Sequence, residues 1–120
     1  MYRTHFILKP VVALFALLLV LNAAVLAKSF GDDRSDAWMS VSTMIKFIGM
    51  GEQSSVEKAG NDAIGSLEKA ADKEENSGKK DKLRDAKTQV REALSHAAKG
   101  EWPYAEGAAK RALQLIEDAK

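Results

Sequence analysis

The chain contains no cysteine, only two prolines, and only two tryptophans, two tyrosines and four phenylalanines in 120 residues. Without cysteine there is no disulfide framework, no thiolate nucleophile and no Cys-based metal centre. An excess of charge of one sign is equally lacking, since the formal net charge is +1. Residues 1–27 carry Arg3 and Lys9 and no acid, so the remainder holds 16 basic residues against 17 acidic ones. A body so balanced argues against nucleic acid as a partner, because neutralising phosphate needs clustered Lys and Arg. Long apolar runs are absent after Ala27, and the length bounds the chain to one small domain beyond that point.

The apolar residues that are present fall into two regimes. Arg3, His5 and Lys9 precede Pro10, and Val11–Leu21 then runs without a charge or a polar side chain. This is the order of a secretory signal, and Val25 and Ala27 stand three and one residues before a cleavage point that would leave Lys28 first. The alternative is an uncleaved membrane anchor: Val11–Ala27 is 17 residues, the short limit of a spanning helix, with Asn22 inside it. Either way the basic start stays cytoplasmic and the body lies beyond the membrane. The expected location is periplasmic or exported, with inner-membrane anchoring as the alternative. Residues 28–35 read as a linker and 36–120 as the folded domain, held without disulfides.

Beyond the linker the period is helical. Ala37, Trp38, Val41, Met44, Ile45 and Ile48 lie three and four apart and predict a first helix over 36–48, ended by Gly49-Met50-Gly51. Ser54 with Glu57 has the spacing of a capping box, which predicts the start of a second helix. Its stripe is Val56, Ala59, Gly60, Ala63, Ile64, Leu67, Ala70 and Ala71, and it stops near Asn76-Ser77-Gly78. A third stripe of Leu83, Ala86, Val90, Ala93, Leu94 and Ala97 spans roughly 79–99, with Gly100 placed for a left-handed cap. Pro103 suits the first turn of a fourth helix carrying Ala105, Ala108, Ala109, Ala112, Leu115, Ile116 and Ala119. No period-two alternation and no Asn-Gly turn suggests a strand. Short connections make successive helices antiparallel, so the expected fold is all-α: an up-down four-helix bundle preceded by the N-terminal signal or anchor helix. Its alanine-rich stripes bury little area per residue, whereas the first helix carries more bulk than such a bundle encloses.

Few residues carry chemistry. His96 is the one histidine after residue 27, and Glu92 lies four residues before it on the same face, half of a divalent metal site. Met39, Met44 and Met50 are irregularly spaced and read as packing residues rather than soft metal ligands. The run from Asp72 to Lys87 mixes both signs densely and reads as a solvated loop, so Glu74-Glu75 lacks the desolvation that acid catalysis needs. Trp38 and Phe47 on the first helix, with Trp102 and Tyr104 at the last turn, are the candidate interaction residues. Trp102 and Tyr104 also suit a staple between the helices they join. No triad, phosphate loop, dinucleotide or zinc-protease signature is present, and an enzyme is not expected.

The run Arg91-Glu92-Ala93-Leu94-Ser95-His96-Ala97-Ala98-Lys99-Gly100, followed by Ala108-Ala109-Lys110-Arg111-Ala112-Leu113, resembles the small metal-binding protein family of bacterial periplasms. Val56–Ala71 shares the beat, so the resemblance covers most of residues 55–119. It implies a short exported helical chain that binds divalent metals, copper among them, through repeated histidines. Only His96 here matches a histidine position, and Arg111 and Asp118 stand at others. Gly100–Leu115 is also similar to one helical hairpin of the tetratricopeptide kind, with no second copy at that period.

Two readings follow from these patterns. One is an exported bundle that weakly buffers a divalent metal through His96 and Glu92. The other is an accessory subunit, anchored or periplasmic, that docks on a protein partner or a second copy through helix 36–48. Membrane contact is expected only through residues 1–27 if they stay attached. Intact-mass measurement of the protein recovered from an exporting host is expected to place Lys28 at the N-terminus; retention of residues 1–27 would instead identify the anchored form.

Overall fold

A computed structural model describes residues 33–120. The signal or anchor expected over 1–27, and most of the linker expected over 28–35, lie outside the described residues.

The first reversal of the chain is made by a glycine. Gly51 adopts φ 66°, a left-handed conformation that costs a side-chain-bearing residue energy. Its N–H bonds to Ile48 O at 3.1 Å, and Glu52 N–H bonds to Phe47 O at 3.1 Å. This paired closure ends α1 (Asp33–Met50) and leads at once into α2 (Gln53–Lys73). The last reversal repeats it: Gly100 has φ 75°, its N–H meets Ala97 O at 2.9 Å, and Glu101 N–H meets His96 O at 2.8 Å. It joins α3 (Ser77–Ala98) to α4 (Trp102–Asp118), with Pro103 in the first turn where its missing N–H is harmless. No strand is found among the described residues.

Four local expectations need correction. The Ser54–Glu57 capping box does not form, because the turn at Gly51 is complete at Glu52 and α2 begins one residue before Ser54. Ser55 Oγ instead donates to Glu52 Oε1 at 3.2 Å. Asn76 does not close α2 but opens α3, its side-chain oxygen accepting from Lys79 N–H at 3.0 Å. Consequently the charged run Asp72–Lys87 is mostly helix, and its loop is the segment 74–76. The first helix also starts at Asp33, so residues 33–35 are helical.

Neighbouring helices run antiparallel around a closed ring, α1 against α2, α2 against α3, α3 against α4 and α4 against α1. Contacts between opposite helix ends fix the directions. Gln53 Nε2, at the start of α2, donates to Ala97 O at the end of α3 at 2.6 Å. At the other pole Arg34 Nη1 donates to Ala119 O at 2.8 Å, tying the start of α1 to the end of α4. Asp33 Oδ2 is cut off from solvent there and is met by Lys73 Nζ at 2.8 Å, as an ion contact rather than a well-directed hydrogen bond.

Thirteen of the 21 buried apolar residues are alanines. The bulk is supplied by Val41, Met44 and Ile48, Val56 and Leu67, Leu83 and Val90, and, on α4, Ile116 alone. Alanine keeps helices close, and at Gly60 even a methyl group does not fit: a Cβ there would stand 2.5 Å from Leu94 Cδ2. All four expected stripes face inward, with Trp38, Ile45, Ile64, Leu94 and Leu115 at their half-buried edges.

The two turns reveal a repeat. At an offset of 49 residues, Asp36, Ala37, Val41, Gly51, Glu52, Glu57, Ala59, Ala63, Glu68 and Ala70 meet identical residues, from Asp85 to Ala119. The hairpin α1–α2 therefore has the hairpin α3–α4 as its counterpart, and the ring closes with pseudo-twofold symmetry. Contacts obey the offset: Glu68 on α2 pairs with Lys87 on α3, and the equivalent Glu117 on α4 pairs with Trp38 on α1.

Glycine at two helix-interior positions therefore has opposite meanings. Gly65 has open space where a Cβ would go, so Gly65→Ala is expected to stabilise the domain by about 0.5–1 kcal/mol through helix propensity. Gly60→Ala gains the same propensity but displaces Leu94, and a net loss of about 1 kcal/mol is expected from overpacking. Urea unfolding of both variants checks the opposite signs.

Candidate functional site

Two regions gather the residues that sequence pattern singles out. The first is the α3–α4 turn. His96 lies in the last turn of α3 and Glu101 is the N-terminal flanking residue of α4. The Schellman-type closure at Gly100 brings them together, and His96 Nδ1–H donates to Glu101 Oε1 at 2.7 Å. Both helix ends favour this polarity, with a ring N–H donor at a C-terminus and a carboxylate at an N-terminus. Tyr104 packs its ring 5.5 Å from the imidazole and remains 67% exposed. The hydrogen bond from His96 holds the Glu101 carboxyl below its ordinary value; slight desolvation opposes this, and the charges of Lys99 and His96 assist it.

The carboxylate that engages His96 is thus Glu101, from the next helix. Glu92 is exposed on α3. Among the described residues no group of three or more His, Asp or Glu side chains is gathered to hold a metal ion. At this pole Trp102 is half-buried against the core beside the Gly51 turn, and Phe47 is half-buried with the Lys46 ammonium 5.9 Å from its ring centre. Of the three aromatics here, Tyr104 is the exposed one.

The second region is the outer face of α1. Trp38 lies nine residues before Phe47, about 14 Å along the helix, so the structure does not join it to the others. Trp38 is half-buried and its Nε1–H donates to Glu117 Oε2 at 2.7 Å. Beside it Met39 is 63% exposed, and Met50 at the end of the helix is 58% exposed. Packing describes Met44 but not these two. The signal that could have found them is positional: neither Met39 nor Met50 falls on the stripe Ala37, Val41, Met44, Ile48.

Shallow grooves border this face. One of about 300 Å³ runs between α1 and α4, lined by Ser35, Trp38, Met39, Glu117 and Lys120. Its counterpart across the repeat, about 290 Å³ between α2 and α3, contains Glu68, Arg84 and Lys87 and is bridged by the Lys87–Glu68 ion pair at 3.2 Å. Another, of about 510 Å³, lies between α1 and α2 and passes Met39, Ser40, Asn61 and Gly65. The corresponding side of the second hairpin is bridged by Arg111 Nε donating to Gln89 Oε1 at 2.9 Å. Met39 therefore stands as a ridge between two grooves whose counterparts on the other hairpin are crossed by polar contacts.

No helix among the described residues is long and apolar enough to cross a membrane. Compared with known proteins, the chain matches no family model, no curated protein and no solved structure.

The lowered carboxyl of Glu101 has a definite pH consequence. A carboxylate whose folded value lies below its unfolded value adds stability above the unfolded value, and this is lost as pH falls through the folded one. His96→Ala is expected to return the Glu101 carboxyl toward its ordinary range and to move the acid loss of order in the α3–α4 turn to higher pH. Carboxyl-carbon NMR titration of Glu101 in both proteins reads the shift directly.

Proposed function

We propose that the domain is a non-catalytic interaction module whose recognising surface is the outer face of α1, and that residues 1–27 carry it across the cytoplasmic membrane. The observation that supports this reading is the asymmetry of the repeat. Where α3 presents Lys87 and Thr88, α1 presents Trp38 and Met39, and Met39 is left 63% exposed. Exposing a large apolar side chain brings no folding benefit, and aromatic and Met side chains are enriched at the cores of protein interfaces. The surface around them is otherwise polar, as the rim of a recognition site is. An anchored or free periplasmic accessory subunit fits this reading.

A metal-buffering role of the kind implied by the resemblance to small metal-binding proteins has weaker support. It would rest on His96, whose Nδ1 is engaged by Glu101, with Glu92 exposed one turn away. A single imidazole with one or two carboxylates makes at most a loose site for copper or another divalent ion.

Site-specific photo-cross-linking in the producing cell tests the interaction reading. A benzoylphenylalanine in place of Met39 is expected to yield discrete adducts, whereas one in place of Thr88, its counterpart across the repeat, yields none. Equal labelling at both positions, or none at position 39, overturns it.

A further inference from the structure

We propose that the groove between α1 and α4 receives a lysine side chain of a partner protein, its ammonium against Oε1 of the Glu117 carboxylate and beside the Trp38 indole. This rests on the reading of α1 as the recognising face and adds the chemistry of what is recognised. The argument starts from the counterpart groove between α2 and α3. There the carboxylate of Glu68 has a lysine built in, Lys87 Nζ standing 3.2 Å from Oε2 with the side chain only 25% exposed. Glu117 occupies the equivalent position 49 residues on, but the place of the lysine is taken by Trp38. The indole N–H satisfies one carboxylate oxygen, Oε2 at 2.7 Å, and brings no positive charge.

What remains is a carboxylate beside an aromatic ring, in a groove of about 300 Å³. The cation that pairs with its other oxygen is Lys120, at 3.6 Å and 63% exposed. That is an exposed pair, of the kind worth little and easily displaced. An incoming lysine would lay its methylenes along Met39 and the indole and place its ammonium against Oε1, within reach of the ring face. The chemistry is therefore that of the α2–α3 groove with the cation supplied by another molecule. Because the groove is shallow and opens along the exposed Met39, a free amine makes few contacts and binds weakly. The partner's surrounding surface supplies the rest.

The probe is n-butylammonium, which reproduces the lysine side chain, titrated into the full-length protein while the Trp38 indole N–H and the Met39 methyl are followed by NMR. Saturable shifts of both signals in the millimolar range are expected, with about a fivefold weaker midpoint in Glu117→Gln. Trp38→Lys rebuilds the ion pair of the counterpart groove. It is expected to keep the helical circular dichroism of the parent and to abolish the Met39 shift. Identical shifts with n-butanol, no saturation with n-butylammonium, or undiminished binding in Trp38→Lys would overturn the proposal. If butylammonium fails while cross-linking at position 39 succeeds, α1 is the recognising face and its ligand is not a lysine. If both fail, the interaction reading itself falls.

Discussion

The structure depends on how closely its helices approach. Thirteen alanines line the interior, and α4 buries Ala105, Ala108, Ala109 and Ala112 with Ile116 as its single large core residue. A methyl group removes little area from water, so each contact is worth a fraction of what a leucine would supply. The gain lies in proximity: backbones come near enough for many small dispersion contacts. Gly60 carries this to its limit, with Leu94 filling the space a Cβ would need. A core of this kind tolerates added volume poorly; Met39 and Met50, which lie off the inward stripe of α1, end outside it.

The polar framework serves the same geometry. Both poles are tied by contacts that need the helices antiparallel and in register: Gln53 to the Ala97 carbonyl near the end of α3 at one pole, and Arg34 and the Lys73–Asp33 pair at the other. At the glycine turns the carbonyls that each helix end would leave unpaired are met by N–H groups of the turn itself. His96 and Glu101 add a charged hydrogen bond across the second turn. The corresponding pair at the first turn would be Phe47 and Glu52, so this feature belongs to one hairpin alone.

That difference is part of a general pattern. The two hairpins share turn residues, inward alanines and the acidic positions Glu57/Glu106 and Glu68/Glu117, the parts that build a hairpin and close the ring. They differ on the outer flanks of α1 and α3. Lys87 and Gln89 lie on the flanks of α3 and form polar bridges to the adjoining helices. On α1 the equivalent positions are Trp38, Met39 and Ser40, which line grooves edged by the exposed Met39. The shared positions are committed to folding, so among the differences between the halves it is those on the exposed outer flanks that are placed to carry specificity.

Helix number, the inward stripes and the turns at Gly51 and Gly100 were legible in the sequence, because apolar period and glycine placement are local signals that the backbone obeys locally. The 49-residue repeat was legible too, but only once the two glycine turns are equated, since alanine-rich helices match one another at many offsets. Helix boundaries were less so: Ser54–Glu57 and Asn76 are each consistent with more than one start or stop, and completion of the preceding turn chooses between them. What the tertiary structure alone decided is the site. His96 has Glu92 one turn away along its helix, yet the chain reversal at Gly100 brings Glu101 to its Nδ1. Trp38 and Glu117 lie 79 residues apart, and their meeting follows only from ring closure of α4 on α1. Sequence period says which side of a helix is apolar; how much of that side the neighbouring helices cover is set by their closeness, a property of the assembled bundle.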